Sequence, residues 1–132
     1  MNLSEEENMI EVYDYKYSKG KLAGYIDGTN YLDKKKRVKA QLEGNEFVAH
    51  DQILLILKDD GVITYSEGEE QGYIKDGRIY WINDELLYEF SKEEGNILDS
   101  NQKVVLKLEG DYKKLDDMDF FGIAGYFLEL FA

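Results

Sequence analysis

At 132 residues with no cysteine, the chain is long enough for one domain with its own core, and it has neither a disulfide framework nor a thiolate metal site or cysteine nucleophile. Its 16 basic and 28 acidic residues, a formal charge of −12, would be repelled by phosphate backbones and anionic lipid surfaces, so nucleic acid is not an expected partner. Eleven tyrosines, six phenylalanines and one tryptophan with no proline suit strands, because aromatics pack well on a pleated surface and every backbone donor stays available to the ladder.

Residues 1–8 carry Glu5, Glu6 and Glu7 with neither a basic start nor an apolar run, so they read as a flexible acidic tail and not as a cleavable signal. A cytoplasmic location is the expectation. Met9 to Tyr17 alternates β-branched and aromatic residues with Glu11, Asp14 and Lys16, then meets Ser18-Lys19-Gly20, which predicts a strand and a turn. From there the chain repeats. Gly28, Gly44, Gly61, Gly77, Gly95 and Gly110 recur at spacings of 16, 17, 16, 18 and 15 residues. Most follow an aliphatic residue and a charge, as in Ile26-Asp27-Gly28, Leu42-Glu43-Gly44 and Leu108-Glu109-Gly110. Self-similarity at a fixed period outranks local propensity as a guide to fold.

Each unit has an apolar segment (Leu22–Ile26, Val38–Leu42, Ile53–Leu57, Gln71–Ile74, Leu86–Phe90, Val104–Leu108), a glycine turn and a second, shorter apolar segment. That segment closes at a polar turn: Asp33–Arg37, His50–Gln52, Ser66–Glu70, Asn83–Glu85 or Asp99–Lys103. These are residues that bond their own backbone or tolerate left-handed angles. About 16–18 residues per unit leave room for two strands and no crossover helix. The fold class is therefore all-β: an antiparallel meander of tandem two-stranded repeats over residues 9–115, forming a roll, barrel or flower-like array. The glycine turns vary in length, which makes that rim the first place to seek a binding surface.

The period ends at Leu115. Residues 116–132 are a short apolar segment, apolar almost all round if helical, which Asp116 or Asp117 would cap. It is too short to span a bilayer, where about 20 apolar residues are needed. Phe120, Phe121, Tyr126, Phe127, Leu130 and Phe131 either plug the apolar opening of the β array or form an interface between copies of the chain.

The phrases Gly24-Tyr25-Ile26-Asp27-Gly28, Gly72-Tyr73-Ile74-Lys75-Asp76-Gly77-Arg78-Ile79-Tyr80 and Ile97-Leu98-Asp99, with the aromatic end, resemble small bacterial β-repeat proteins of the 4-fold β-flower kind. The resemblance spans about residues 22–131. It implies radiating β-hairpins and no established activity. This chain differs in having more than four units, in lacking a second turn glycine at Asp33–Arg37 and Asn83–Glu85, and in its acidity.

Chemistry-bearing groups are sparse. His50 is the one histidine, which excludes multi-histidine metal sites, and no nucleophile stands at a recognisable spacing from it. The glycines lie a repeat apart and not clustered before a helix, so they make no phosphate loop. Asp59-Asp60-Gly61 lacks the oxygen ligands of a calcium loop, since Ile56 and Lys58 hold those places. Lys34-Lys35-Lys36-Arg37 is the basic run, read as a charged strand edge, or as a contact for an anion or a partner's acidic patch. No catalytic, cofactor-binding or metal residue is assigned. The expected role is a noncatalytic scaffold that binds protein, including other copies of itself. The alternatives are an acidic inhibitor or immunity-type protein that occupies a cationic toxin or nuclease, and a glycan hydrolase using Glu67, Glu69 or Glu70.

Overall fold

The repeated phrase of an aliphatic residue before each glycine has a structural cause: a hydrogen bond that recurs with the same period. In the computed structural model, which describes residues 9–132, the backbone N–H groups of Leu42, Leu57, Ile74, Phe90 and Leu108 donate to Thr29, Asn45, Gly61, Gly77 and Gly95 at 2.9, 2.9, 2.8, 2.8 and 2.7 Å. Each glycine turn is thereby tied to the inward-facing residue of the next unit. The acidic tail read at residues 1–8 lies outside the described residues.

The described residues form twelve strands: β1 (Ile10–Asp14), β2 (Lys21–Asp27), β3 (Asn30–Asp33), β4 (Val38–Glu43), β5 (Glu46–Ala49), β6 (Gln52–Leu57), β7 (Val62–Thr64), β8 (Glu70–Lys75), β9 (Arg78–Trp81), β10 (Leu86–Ser91), β11 (Asn96–Asp99) and β12 (Val104–Glu109). All neighbours pair antiparallel, and the sheet closes into a barrel through β1, which pairs with both β2 and β12. Of the roll, barrel or flower-like array that the repeat predicts, the barrel is the form adopted.

Even-numbered strands are long and odd-numbered ones short. β1, at the N-terminal end, is the short strand of the sixth unit. This corrects one reading of the sequence. Gly110 does not turn the chain into the second apolar segment expected of the last unit. The edge of β12 is already filled by β1, with Glu11 opposite Glu109 and Asp14 opposite Leu106. The chain instead leaves as a 3-10 turn, Tyr112–Lys114, whose tyrosine ring lies over Gly95. The first strand is also shorter than read, ending at Asp14, whose carboxylate accepts from the N–H groups of Lys16 and Tyr17 to begin the turn.

A second periodic feature has no sequence signal. Between every short strand and the long strand after it, the register slips by one residue, leaving Ala23, Lys39, Leu54, Gln71, Leu87 and Val105 unpaired. Such bulges bend and twist a strand. Six of them, one per unit, turn a meander into a ring.

Inside, Ile26, Leu42, Leu57, Ile74, Phe90 and Leu108 form one circuit near the glycine turns, and all are buried. Val12, Tyr31, Phe47, Ile63, Ile79 and Ile97 form the next, opposite Gly24, Ala40, Leu55, Gly72, Tyr88 and Leu106. Eight strands give a lumen that side chains can fill; twelve give a wider one that needs more. Helix α1 (Asp117–Phe127) supplies it. Its 11 residues make a rod about 16 Å long, which matches the height of six-residue strands tilted as barrels require.

The helix meets opposite walls of the barrel. Phe120 lies 5.6 Å from Phe90 between ring centres and Phe121 lies 6.5 Å from Phe47, while Gly122 sits against Tyr31 and Leu42. A helix apolar all round belongs in such a place, since it has no solvent face to keep. Asp116 and Asp119 close a capping box with two 3.0 Å bonds, and the Gly77 N–H donates to Asp117 Oδ1 at 3.1 Å, fastening the helix start to the glycine-turn end.

Candidate functional site

The two ends of the barrel differ in chemistry. The glycine-turn end is acidic, with Asp27, Glu43, Asp59, Asp60, Asp76, Glu93, Glu94, Glu109 and Asp111 on or beside its turns. At the polar-turn end, four of the connections share one backbone plan. Asp33, Tyr65, Trp81 and Asp99 each accept from the N–H three residues on, and each donates to the carbonyl four residues on. The third step falls on a left-handed residue, Lys36, Gly68, Asp84 or Gln102. At the turns without glycine, Asp33–Arg37 and Asn83–Glu85, Lys36 and Asp84 hold the left-handed position at φ 63° and 72°. The His50-Asp51 turn is tighter, with φ of 54° and 59°.

The end of α1 shapes this mouth. After Phe127 the chain reverses through Glu129 at φ 51°, and the Leu130 N–H returns to the Ala124 carbonyl at 3.2 Å. Phe131 then lies 5.2 Å from Trp81 between ring centres, and Tyr65 Oη donates to the Phe131 carbonyl at 2.8 Å. A cleft of about 720 Å³ remains beside this segment. Phe47, Ile53, Leu54, Leu55, Leu130 and Phe131 make its apolar wall, with Lys39, His50 and Glu129 at its edge. A second cleft of about 450 Å³ lies on the other side of Phe127 and Glu129, bounded by Lys21, Lys34, Lys35 and Arg37.

Every large hydrophobic side chain that is exposed among the described residues is at this end: Tyr15, Tyr17, Val38, Ile53, Leu54, Trp81 and Ile82, from 39% to 66% accessible. Sequence reasoning placed the binding rim at the variable glycine turns and missed this crown. The signal was present in Val38, Ile53 and Ile82, aliphatic residues beside polar turns.

The residues singled out in the sequence fall as follows. Gly28, Gly44, Gly61, Gly77, Gly95 and Gly110 all have positive φ. The first five sit in the turns joining long strands to short ones. Phe120 and Phe121 have no exposure, Leu130 and Phe131 are buried, and Tyr126 and Phe127 are half-buried at the polar-turn mouth. An association surface made of these six would require the plug to leave the lumen. His50 is exposed. Glu67, Glu69 and Glu70 are exposed and line neither of the two mouth clefts; Glu129 is the carboxylate of the larger one.

Of the basic run, Arg37 is engaged at home. Its backbone N–H, its guanidinium at 2.8 Å and the Lys35 N–H hold the Asp33 carboxyl below the usual carboxylate range. Across the ring, the hydrogen bond from Tyr73 to Asp84 at 2.6 Å pushes the phenol up to about 12. Lys16 reaches Tyr88 Oη at 2.7 Å, spanning β1 to β10 at the mouth. Among the described residues no group of three or more His, Asp or Glu is placed to hold a metal ion, and no helix is long and apolar enough to cross a membrane.

The arrangement offers a dished apolar surface rimmed with charge. Such a surface is suited to contact. No protein-family model, no curated protein and no solved structure matches the chain.

Proposed function

We propose that this protein is a noncatalytic interaction module whose contact face is the polar-turn end of the barrel. One observation carries the reading: the seven large hydrophobic side chains exposed among the described residues all gather at that end. Folding gives them no reason to gather, since single exposed apolar residues are normally scattered over a surface. The mixed apolar and charged character of the crown is that of a protein–protein interface with a polar rim.

The test is capture from extracts of the source cell by three forms of the full chain. These are the natural sequence, an Ile53→Ser/Leu54→Ser/Ile82→Ser variant, and a control altered at the other end, Asp59→Ser/Glu93→Ser. All five positions are exposed, so the fold should survive, which a thermal melt verifies. The polar-turn variant should lose what the other two retain. Equal capture by all three would sink the reading.

A second reading has its own support. The acidic glycine-turn end fits the inhibitor or immunity class, in which carboxylates occupy a cationic toxin or nuclease. It requires salt-sensitive binding of a basic protein that is lost in the Asp59→Ser/Glu93→Ser control and kept in the polar-turn variant.

A further inference from the structure

The charges of the polar-turn end are segregated by sector. Residues 15–39 hold eight of the chain's 16 basic residues (Lys16, Lys19, Lys21, Lys34, Lys35, Lys36, Arg37, Lys39) and only two acidic ones, Asp27 and Asp33. Six of the eight lie on the first two polar turns, between β1 and β2 and between β3 and β4, while Lys21 is the first residue of β2 and Lys39 the second of β4. The fourth and fifth polar turns are acidic, with Glu67, Glu69 and Glu70 before and at the start of β8, and Asp84 and Glu85 before β10. The barrel holds its strands in chain order, so the six polar turns follow one another round the mouth. Turns three steps apart are therefore opposite. The cationic pair faces the acidic pair across the ring, and the third and sixth turns stand between them.

A ring with this pattern complements a copy of itself. Take two barrels set mouth to mouth about a two-fold axis through the third and sixth turns. The first turn of one copy then meets the fifth of the other, and the second meets the fourth. Tyr17, Lys19 and Lys21 come opposite Trp81, Ile82, Asp84 and Glu85; Lys34, Lys35 and Val38 come opposite Glu67, Glu69 and Glu70. Ile53 and Leu54, at the third turn, meet their own copies. Tyr17 meets Trp81 and Ile82, Ile53 and Leu54 meet their copies, and the cationic sector meets the acidic one, the self-complementarity that an isologous interface demands. Twelve strands make a ring roughly 24 Å across, so two such mouths with their side chains would bury about 1,400 Å² together, inside the range of stable complexes.

We infer that the polar-turn end is a homodimer interface, in which the cationic sector of each copy docks on the acidic sector of the other. This rests on the proposed contact face and names its partner as a second copy of the chain. An anionic lipid surface fits less well, because Glu67, Glu69, Glu70, Asp84 and Glu85 would face the same headgroups as the lysines. A second copy presents both signs. The dimer leaves the plug in place, with Phe120 and Phe121 inside the lumen.

The test is a charge swap on the full chain, read by sedimentation equilibrium at low and high salt. One variant is Lys19→Glu/Lys34→Glu/Lys35→Glu; the other is Glu67→Lys/Glu69→Lys/Glu85→Lys. All six positions are exposed. The natural chain should dimerise, more weakly in high salt. Each variant alone should be monomeric, its affinity lowered by about a hundredfold or more because like charges now meet. An equimolar mixture should recover a one-to-one heterodimer, which a merely misfolded variant would not do.

A natural chain that stays monomeric at millimolar concentration overturns the inference. So does a dimer indifferent to both variants, or a mixture that stays monomeric. Copelleting with vesicles containing phosphatidylserine, lost in the first variant and increased in the second, would assign the face to a lipid surface and overturn the dimer as well. A monomer whose Ile53→Ser/Leu54→Ser/Ile82→Ser variant still loses a captured protein would remove the dimer and leave the contact face standing. A dimer that persists in that variant and in both charge variants would remove both.

Discussion

Two residues set the fit of the plug in its barrel. A Cβ added at Gly122 would lie 1.9 Å from Tyr31 Oη and 3.0 Å from the Leu42 side chain, so α1 can approach that wall only where a side chain is absent. Tyr31 has no exposure, and its hydroxyl has no hydrogen-bond partner among the described residues; burial pushes the phenol far above its ordinary value. The tyrosine therefore serves by filling space. Gly122→Ala should destabilise by about 2–3 kcal/mol, the usual cost of overpacking a close-packed interior, measured by urea unfolding. Tyr31→Phe should be neutral or stabilise by up to about 1 kcal/mol, since an unpartnered buried hydroxyl contributes nothing to hold. A loss above about 2 kcal/mol on that substitution would mean the hydroxyl has a partner after all. The glycine is plain in the sequence, but its purpose is not, because nothing in the local pattern says that a tyrosine 91 positions earlier faces it.

At the scale of the element, α1 shows what local chemistry can and cannot decide. Of the two caps the sequence offers, Asp116 and Asp117, Asp116 is the one used, and it closes a capping box with Asp119. The backbone N–H of Asp119, followed by its other hydrogen bonds, lowers the Asp116 carboxyl below its ordinary 3.8. Burial raises the Asp119 carboxyl above the same value. The lowered group stabilises the fold fully above 3.8 and loses that contribution as pH falls through its folded value; the raised group works the other way, favouring the fold slightly as it takes up a proton. Asp116→Ala should cost about 1 kcal/mol at neutral pH, within the measured range for caps. The difference from the natural chain should shrink as pH falls below 3.8 and on through the lowered folded-state value, as seen in paired thermal melts; a gap unchanged in acid would show that the charge of Asp116 is not what caps the helix. The strand pattern was legible too, since long strands coincide with the apolar segments. Trp81 was not: Ile79 before it is fully buried, Tyr80 stacks outside on Tyr73 at 4.8 Å, and Trp81 is 39% exposed beside Phe131. Alternation names two faces but not which one turns inward.

For the whole molecule, closure is the central event, and it joins the two ends of the described chain. β1 fills the gap between β2 and β12, so a single five-residue strand completes the ring. Its Ile10 and Val12 are buried, and without it two long strands would present open edges. Removing residues 1–20 should abolish cooperative unfolding and yield aggregates, checked by calorimetry and light scattering. A cooperatively folded monomer would show that the ring does not need this closure. The same wholeness governs function. The cationic turns at residues 16–21 and 34–37 and the acidic turns at 67–70 and 84–85 are ordinary surface charge along the chain. They become opposing sectors only because the strands return to their start.

What the sequence determined by itself was the repeat: two strands per unit, a glycine turn at one end and a polar turn at the other, and an apolar tail with a cap. Those follow from local rules of turn conformation, alternation and capping, which need no knowledge of distant residues. The tertiary structure alone decided that the meander closes, that β1 takes the place a strand after Gly110 would have held, and that α1 fills the lumen. Closure depends on twist and on six one-residue slips of register, each a compromise among neighbouring strands and none of them a property of a single segment. The plug depends on the width that closure creates, since a twelve-strand ring leaves a space its own side chains cannot fill and an all-round apolar helix has nowhere else to go.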